Sequence, residues 1–509
     1  MKLLHKYVIA AGRNALLAAT FVFPFVAAAK SVEVEPGGLQ AAVGEDASTE
    51  TSLTVTGSLN VSDFDFLREM TALQSLDLSG ATVAAYQGEA TATGQTASGA
   101  NVLPYCALMS GNFTTLKLPA GITEIADGAL GGCRAATVEI PSTVTTIAVG
   151  AFSSMPNLES VIIPAGVTTF GERMFKDCPK LKTVVFQGTL AELPAATFYN
   201  CKSLESVQLP ASLTTIGENA FEGCGSLKEL NFPATLTSVG AGAFMGSGLE
   251  APDLSACAGL KELGDWAFAD CASLQKIALP SSVASLGKGV FFKSTLGGDI
   301  AEIVPESAMK LPDFAFYGTG VDPSNLGELP LDSIGAYAMS GLSAEKMQLP
   351  ATLKSLDDNA MERTHFDELD VVNDVDIPEL GESVWSEVDQ ANTVLRVPDK
   401  LFDRYSQLPQ WKEFNVQKNG DSLAGNIYDD GLAVSRLRAA FDGELLRLHA
   451  DTGLRAAQLY DVSGRCFTIV QTTASQSLTI DTAPYATSVF IVRVLLSDDT
   501  VEILKVARK

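Results

Sequence analysis

The chain is short of the residues that do most protein chemistry. Histidine occurs only at His5, His365 and His449 in 509 residues, so a histidine-rich metal site or a His-dependent triad has almost no raw material. Cations are the minority, with 35 Lys+Arg against 60 Asp+Glu and a net charge of −25. Such a chain repels phosphate, because nucleic-acid binding relies on Lys and Arg to neutralise a polyanion. DNA and RNA are excluded as partners. The eight cysteines include no C-x-x-C pair, which removes the usual metal knuckles. No cofactor is implied. Beyond the first 29 residues no apolar run reaches the ~20 residues that span a bilayer, so the mature chain is not expected to be integral to a membrane. What remains is 46% hydrophobic and only 19% charged, ample for a packed core.

The N-terminus reads as a targeting segment. Lys2, Lys6 and Arg13 give a basic start, Ala15 to Ala29 is uncharged, and Ala27-Ala28-Ala29 is a small-x-small cleavage site before Lys30. This pattern predicts a secretory signal peptide over residues 1–29, with the product exported to the cell surface or beyond. The apolar run is too short for a spanning helix and contains Pro24. Cleavage leaves 32 Lys+Arg against 60 Asp+Glu, or −28.

A repeat governs the middle of the chain. A bulky apolar residue, usually after Ala, recurs at Leu108, Leu130, Phe152, Phe175, Phe198, Phe221, Phe244, Phe268, Phe291, Phe316, Met339 and Met361, in steps of 22 to 25 residues. Within a unit such as Cys201 to Cys224, the stretch Leu204-Glu-Ser-Val207-Gln-Leu209 alternates as a strand with one buried face does. Pro210 ends it, since proline cannot donate to a ladder. Leu213 and Ile216 then suggest a short return strand or extended turn, with at most a turn of helix around Phe221 to Gly223. One unit buries about six apolar side chains worth roughly 1.5–3 kcal/mol each. Ordering its residues costs roughly 1–2 kcal/mol apiece, so a unit is stable only when stacked on others in a capped solenoid.

These residues resemble the BspA-like branch of leucine-rich repeats, which carries the same Leu-x-x-Val-x-Leu-Pro, Ile-Gly and Ala-Phe-x-x-Cys elements. The resemblance implies a β-rich solenoid of about 23 residues per unit with little helix, over residues 59–416 including its caps, after an N-terminal extension at 30–58. Asp63 to Ser79 resembles the family's opening unit, and Tyr405, Trp411 and Phe414 its closing cap. The last units depart from the pattern, with Ala338-Met339 and Ala360-Met361 in place of Ala-Phe.

Residues 417–431 read as a polar, glycine-containing linker. Residues 432–509 hold six or seven short strand-like runs, which predicts a small β-sandwich. Tyr460, Asp461, Gly464 and Arg465, together with Phe490 to Val494 and the basic terminus, resemble the C-terminal sorting domain of type IX secretion. That resemblance implies passage through an outer membrane and removal of the tail as the protein is fixed to surface glycolipid. Ala483 to Ser488 replaces the usual Gly-Val-Tyr approach, and an ordinary immunoglobulin-like module remains the alternative.

Motifs that could carry chemistry have plain structural readings. Cys133, Cys178, Cys201, Cys224 and Cys271 all stand three residues after the Phe column. Side chains in one column point the same way, which opposes disulfide geometry, so Cys178, Cys201 and Cys224 join Phe152, Phe175, Phe198, Phe221, Phe244 and Phe268 as expected core. Gly420-Asp421-Ser422-Leu423 spells a hydrolase signature, but no Asp-x-x-His follows to supply its base. Ser273 to Lys276 and Ser343 to Lys346 are Ser-x-x-Lys strings inside repeat units. The acidic stretch around Asp370, Asp374 and Asp376 lacks the glycine of an EF-hand loop and reads as solvated charge.

The informative surface is the outward strand column, Lys117, Glu139, Ile162, Val185, Gln208, Asn231, Asp253 and Ala278. It mixes charges, amides and aliphatics beside monotonous core columns, and solenoids use such faces to bind large partners. The sequence therefore predicts no enzyme. It predicts an adhesin-like surface protein whose partners are macromolecules such as host matrix protein, mucin or another cell surface. The alternatives are an envelope scaffold component and, less favoured, a secreted hydrolase.

Overall fold

The computed structural model describes residues 29–419, 437–442, 445–460, 466–485, 489–497 and 501–507. These fall into two compact units that divide after Lys418, each with its own hydrophobic core.

The first unit is a β-solenoid of about 17 turns at a spacing of ~23 residues. Its coils are joined on three sides by backbone hydrogen bonds between neighbours. The first side is the parallel ladder of Leu-x-x-Val-x-Leu strands, in which Ser160–Ile163, Thr183–Phe186 and Ser206–Gln208 pair in register. The second is the return strand: Glu192–Leu193, Thr215–Ile216 and Ser238–Val239 form their own parallel ladder. The third runs through the Ala-Phe segment, where Asn219, Phe221 and Gly223 donate their N–H groups to Ala241, Ala243 and Met245 at 2.8–2.9 Å.

That third side is no helix. It is a chain of tight turns in which the residues two before and two after the Phe column adopt positive φ, as at Asn219 (54°) and Gly223 (72°). The pairing recurs from coil to coil, and Ser383 and Glu387 extend it around Trp385. Met361 donates to Val384 across the coils, so Val384-Trp385 is a further unit that the Ala-Phe search passes over. Between the second and third sides the chain runs very close to the previous coil. A Cβ on Gly217 or Gly240 would lie 2.7 Å from the neighbouring backbone, which accounts for glycine in these two coils.

Residues 30–58 correct the expectation of an extension outside the solenoid. Lys30–Val34 pairs in parallel with Ser52–Leu59, which pairs in turn with Ser75–Val83, so the ladder begins at Lys30. These strands alternate as their followers do but lack the Pro and Ala-Phe marks. The opening unit also contains the helix Val61–Glu69, started by a capping box between Asn60 and Asp63. At the other end Tyr405, Trp411 and Phe414 are buried, with Trp411 and Phe414 packed on Trp385 and Tyr405 edge-on to Trp411, closing the core as the resemblance implies.

The second unit contains strands Leu437–Asp442, Leu445–Tyr460, Cys466–Asp481, Val489–Leu496 and Val501–Ala507 in one antiparallel sheet. They are fewer and longer than the short runs suggested. The break between His449 and Leu454 is a register irregularity inside a single strand, with Gly453 at φ 83°. Leu448, Leu459, Phe490, Val492 and Val494 form its core. Residues 1–28 of the expected signal peptide and 420–436 of the expected linker and beyond lie outside the described residues, as does the string Gly420 to Leu423.

Candidate functional site

The eight strand-face residues all lie on the first side of the solenoid. Lys117 pairs with Glu139, Ile162 with Val185 and Val185 with Gln208, and Asp253 with Ala278. All are exposed except Val185, which is half-buried. Successive side chains therefore stand about 4.8 Å apart.

Their chemistry is less uniform than their placement. The Lys117 ammonium is 2.7 Å from Asp77 in the preceding coil, and this contact raises its pKa above the ordinary lysine value. Asp253 accepts hydrogen bonds from the backbone and hydroxyl of Ser255, which hold its carboxyl below the usual range. Among the described residues Glu139, Gln208 and Asn231 make no side-chain hydrogen bond. Ile162 is 55% exposed. The centre of the face thus offers a carboxylate that faces Lys117 without a hydrogen bond to it, two amides and an aliphatic patch.

Sequence reasoning missed the continuation of this face. In the last coils Lys346 contacts Glu368 and Asp370, the latter at 2.9 Å, and Arg396 lies 3.1 Å from Glu368. Charges of opposite sign at facing strand positions, Lys346 with Glu368 and Asp370 with Arg396, were the available signal. This ladder neutralises itself. Lys346 is consequently tied to carboxylates rather than to Ser343, and Asp374 is held by Lys400 at 2.7 Å. Among the described residues no group of three His, Cys, Asp or Glu side chains is placed to hold a metal ion.

Phe152, Phe175, Phe198, Phe221, Phe244 and Phe268 are fully buried and stack ring on ring at centroid distances of 5.1–5.7 Å. The thiols beside them do more than fill space. Cys178, Cys201, Cys224 and Cys271 each donate to the carbonyl of the Phe one coil earlier, at 3.0–3.2 Å. All four are free cysteines. Burial pushes the Cys178 thiol up to about 12 and Cys133 to about 11, and raises Cys201 and Cys224 as well.

Of the tail motif, Tyr460 ends the strand Leu445–Tyr460 and its hydroxyl donates to Gln458 at 3.0 Å. Asp461, Gly464 and Arg465 lie outside the described residues.

The coil pattern matches the BspA type leucine rich repeat region in six copies, over residues 103–202, 191–320 and 309–401. The match covers more than half of the chain, which belongs to the BspA-type leucine-rich-repeat family. No catalytic family is indicated, and the solenoid is of the kind that serves as a binding scaffold. No curated protein matches the chain. Among solved structures, a leucine-rich repeat protein from Bacteroides ovatus is 16% identical, with a TM-score of 0.52 over 76% of this chain and 91% of that one. That likeness bears on the fold alone. A leucine rich cell surface protein from Faecalibacterium prausnitzii is 20% identical over 60% of this chain and 87% of its own, with a TM-score of 0.30. Among the described residues no helix is long and apolar enough to cross a membrane.

Proposed function

We propose that the protein is a surface-exposed, adhesin-like scaffold that binds a macromolecular partner along its strand face. The supporting observation is the in-register run from Glu139 through Ile162 and Val185 to Gln208, where exposed and half-buried side chains of unlike chemistry line up at coil spacing and the Glu139 and Gln208 side chains make no hydrogen bond among the described residues. A partner such as a matrix protein, a mucin or another cell surface touches many coils at once, so affinity accumulates from modest contacts. The basic start and Ala-x-Ala site support export. The tail's likeness to a type IX sorting domain supports delivery to the outer surface, with residues 432–509 acting as the address. An envelope scaffold role would use the same face on the cell's own polymers.

Screening the mature solenoid against matrix proteins, mucins and glycans, followed by replacement of Glu139, Gln208 and Asn231, tests the proposal. Binding that survives all three replacements but is lost on altering the turn side would sink the strand-face assignment. A cell-surface protease experiment separates the two roles, because a buried scaffold is protected on intact cells.

A further inference from the structure

Two columns flank the buried Phe ladder on the turn side, one two residues before it and one a single residue after it. In four consecutive coils these columns carry large rings: Trp266, Phe292, Phe314, Tyr317 and Tyr337, all half-buried. The rings form one cluster. Trp266 meets Phe292 edge-on at 5.3 Å and Phe314 at 6.1 Å, Phe292 stacks on Tyr317 at 5.1 Å, and Phe314 lies parallel to Tyr337 at 5.1 Å. The strand face is nearly free of aromatics, whereas this cluster lies on the turn side of the coil.

The backbone makes this placement costly. Trp266, Phe314 and Tyr337 have φ of 58°, 58° and 57°, the left-handed conformation that this column takes throughout the repeat, where other coils carry Gly128, Gly150 and Gly242 or the smaller and polar Ala196, Asn219 and Asn359. Bulky aromatic residues are uncommon in that conformation. Gly289, between Trp266 and Phe314 in the same column, completes the arrangement. A Cβ on Gly289 would fall 2.2 Å from the indole, so its absence lets Trp266 lie across the intervening coil. Core packing does not account for rings left half exposed.

The chemistry of the cluster selects among ligands. Faces of Phe292 and Phe314 are covered by the neighbouring tyrosines and by the Lys293 and Lys288 ammonium groups, 4.9 and 5.4 Å from the ring centroids. A sugar ring has little free face to stack on at the middle of the patch. The patch includes donors without an acceptor: among the described residues nothing accepts from the Trp266 indole N–H or the Tyr317 and Tyr337 hydroxyls. A proline-rich chain supplies apolar surface and carbonyl acceptors without N–H groups, and aromatic surfaces recognise its extended form. That form repeats every ~9.3 Å, close to two coil spacings of ~4.8 Å. Lys288 lies 3.4 Å from Asp313, whereas Lys293 has no carboxylate within ion-pair distance among the described residues. It can therefore receive an acidic residue beside the prolines.

We infer that the Trp266, Phe292, Phe314, Tyr317 and Tyr337 cluster is a docking site for an extended proline-rich segment with a flanking carboxylate, separate from the strand face. The test uses the mature chain and a fluorescent peptide of two aspartates followed by a run of prolines, against a Gly/Ser control of equal charge. Anisotropy and the emission of Trp266 are read, since Trp385 and Trp411 are buried in the cap. The proline peptide is expected to bind and the control not to. Trp266→Gly restores the residue other coils use, so it should keep the melting temperature while weakening binding about tenfold. The Tyr317→Phe, Tyr337→Phe pair should weaken it severalfold by removing only hydroxyls, and Gln208→Glu should leave it unchanged. Equal affinity for the two peptides, unaltered affinity in both cluster variants, or cluster-dependent binding of an oligosaccharide such as cellohexaose in place of the peptide would each overturn the inference.

Discussion

Replacing Phe221 with alanine should strike the solenoid at its most tightly coupled point. The ring is fully buried and stacks on Phe198 at 5.2 Å and on Phe244 at 5.3 Å. Its coil cannot collapse into the gap, because Phe198 donates to Ala220 and Phe221 to Ala243, both at 2.8 Å, pinning the backbone from either side. Truncation of a buried Phe costs ~3–5 kcal/mol when the site relaxes little. Each ring pair adds about 0.5–1.5 kcal/mol beyond its buried area, so the upper part of that range is expected here. Phe152 supplies the control. It is equally buried but stacks only on Phe175, because Leu130 occupies the coil before it, and Phe152→Ala should cost about 1 kcal/mol less. Equilibrium urea unfolding followed by far-ultraviolet circular dichroism measures both, with the slope compared between variants to detect separate unfolding of the two halves. A loss below about 1.5 kcal/mol for Phe221→Ala, or an equal loss for Phe152→Ala, would refute the view that stacked rings couple neighbouring coils.

Other expectations concern the thiols, the tail and the face. Cys178, Cys201 and Cys224 should be unlinked and resist alkylation until the solenoid unfolds; mass spectrometry showing them joined to one another would contradict this. Because burial raises the Cys178 thiol from 9.0 to about 12, the unfolded chain loses this proton first, so stability should fall as pH rises above about 9 and be insensitive to the thiols below it. Cys224→Ala should cost about 0.5–1.5 kcal/mol for the lost bond to the Phe198 carbonyl, read from the same urea curves. Deleting residues 432–509 should leave a folded solenoid that no longer reaches the surface of intact cells, and normal surface display of the truncated protein would disprove the sorting role. Glu139→Lys with Gln208→Glu should change affinity for an identified partner while shifting stability by no more than about 0.5 kcal/mol per site, as calorimetry and thermal melting can establish.

The coils were legible because burial imposes residue type in the same place each time: Phe221 and Leu204 have no freedom to drift. The first coils escaped notice because Lys30–Val34 and Ser52–Leu59 pair as strands without needing the Pro or Ala-Phe marks. Trp385 escaped because an aromatic of a different shape fills the end of the same column next to the cap. The thiol bonds were illegible in principle, since a column of cysteines looks the same whether the sulfur packs or donates. On the strand face the positions were readable from alternation, whereas the engagement of Lys117 by Asp77 depended on pairing two coils separated by a 40-residue step.

The three-sided network of bonds between coils also fixes how the molecule bears load. Those bonds lie along the stacking axis, so a pull between the first coil and the last meets only one coil's bonds at a time and peels them in succession. Each released unit of ~23 residues pays out roughly 75–80 Å of chain at about 3.4 Å per residue. A tether drawn taut in flow would therefore lengthen in steps, shedding tension coil by coil while the remaining coils keep their shape.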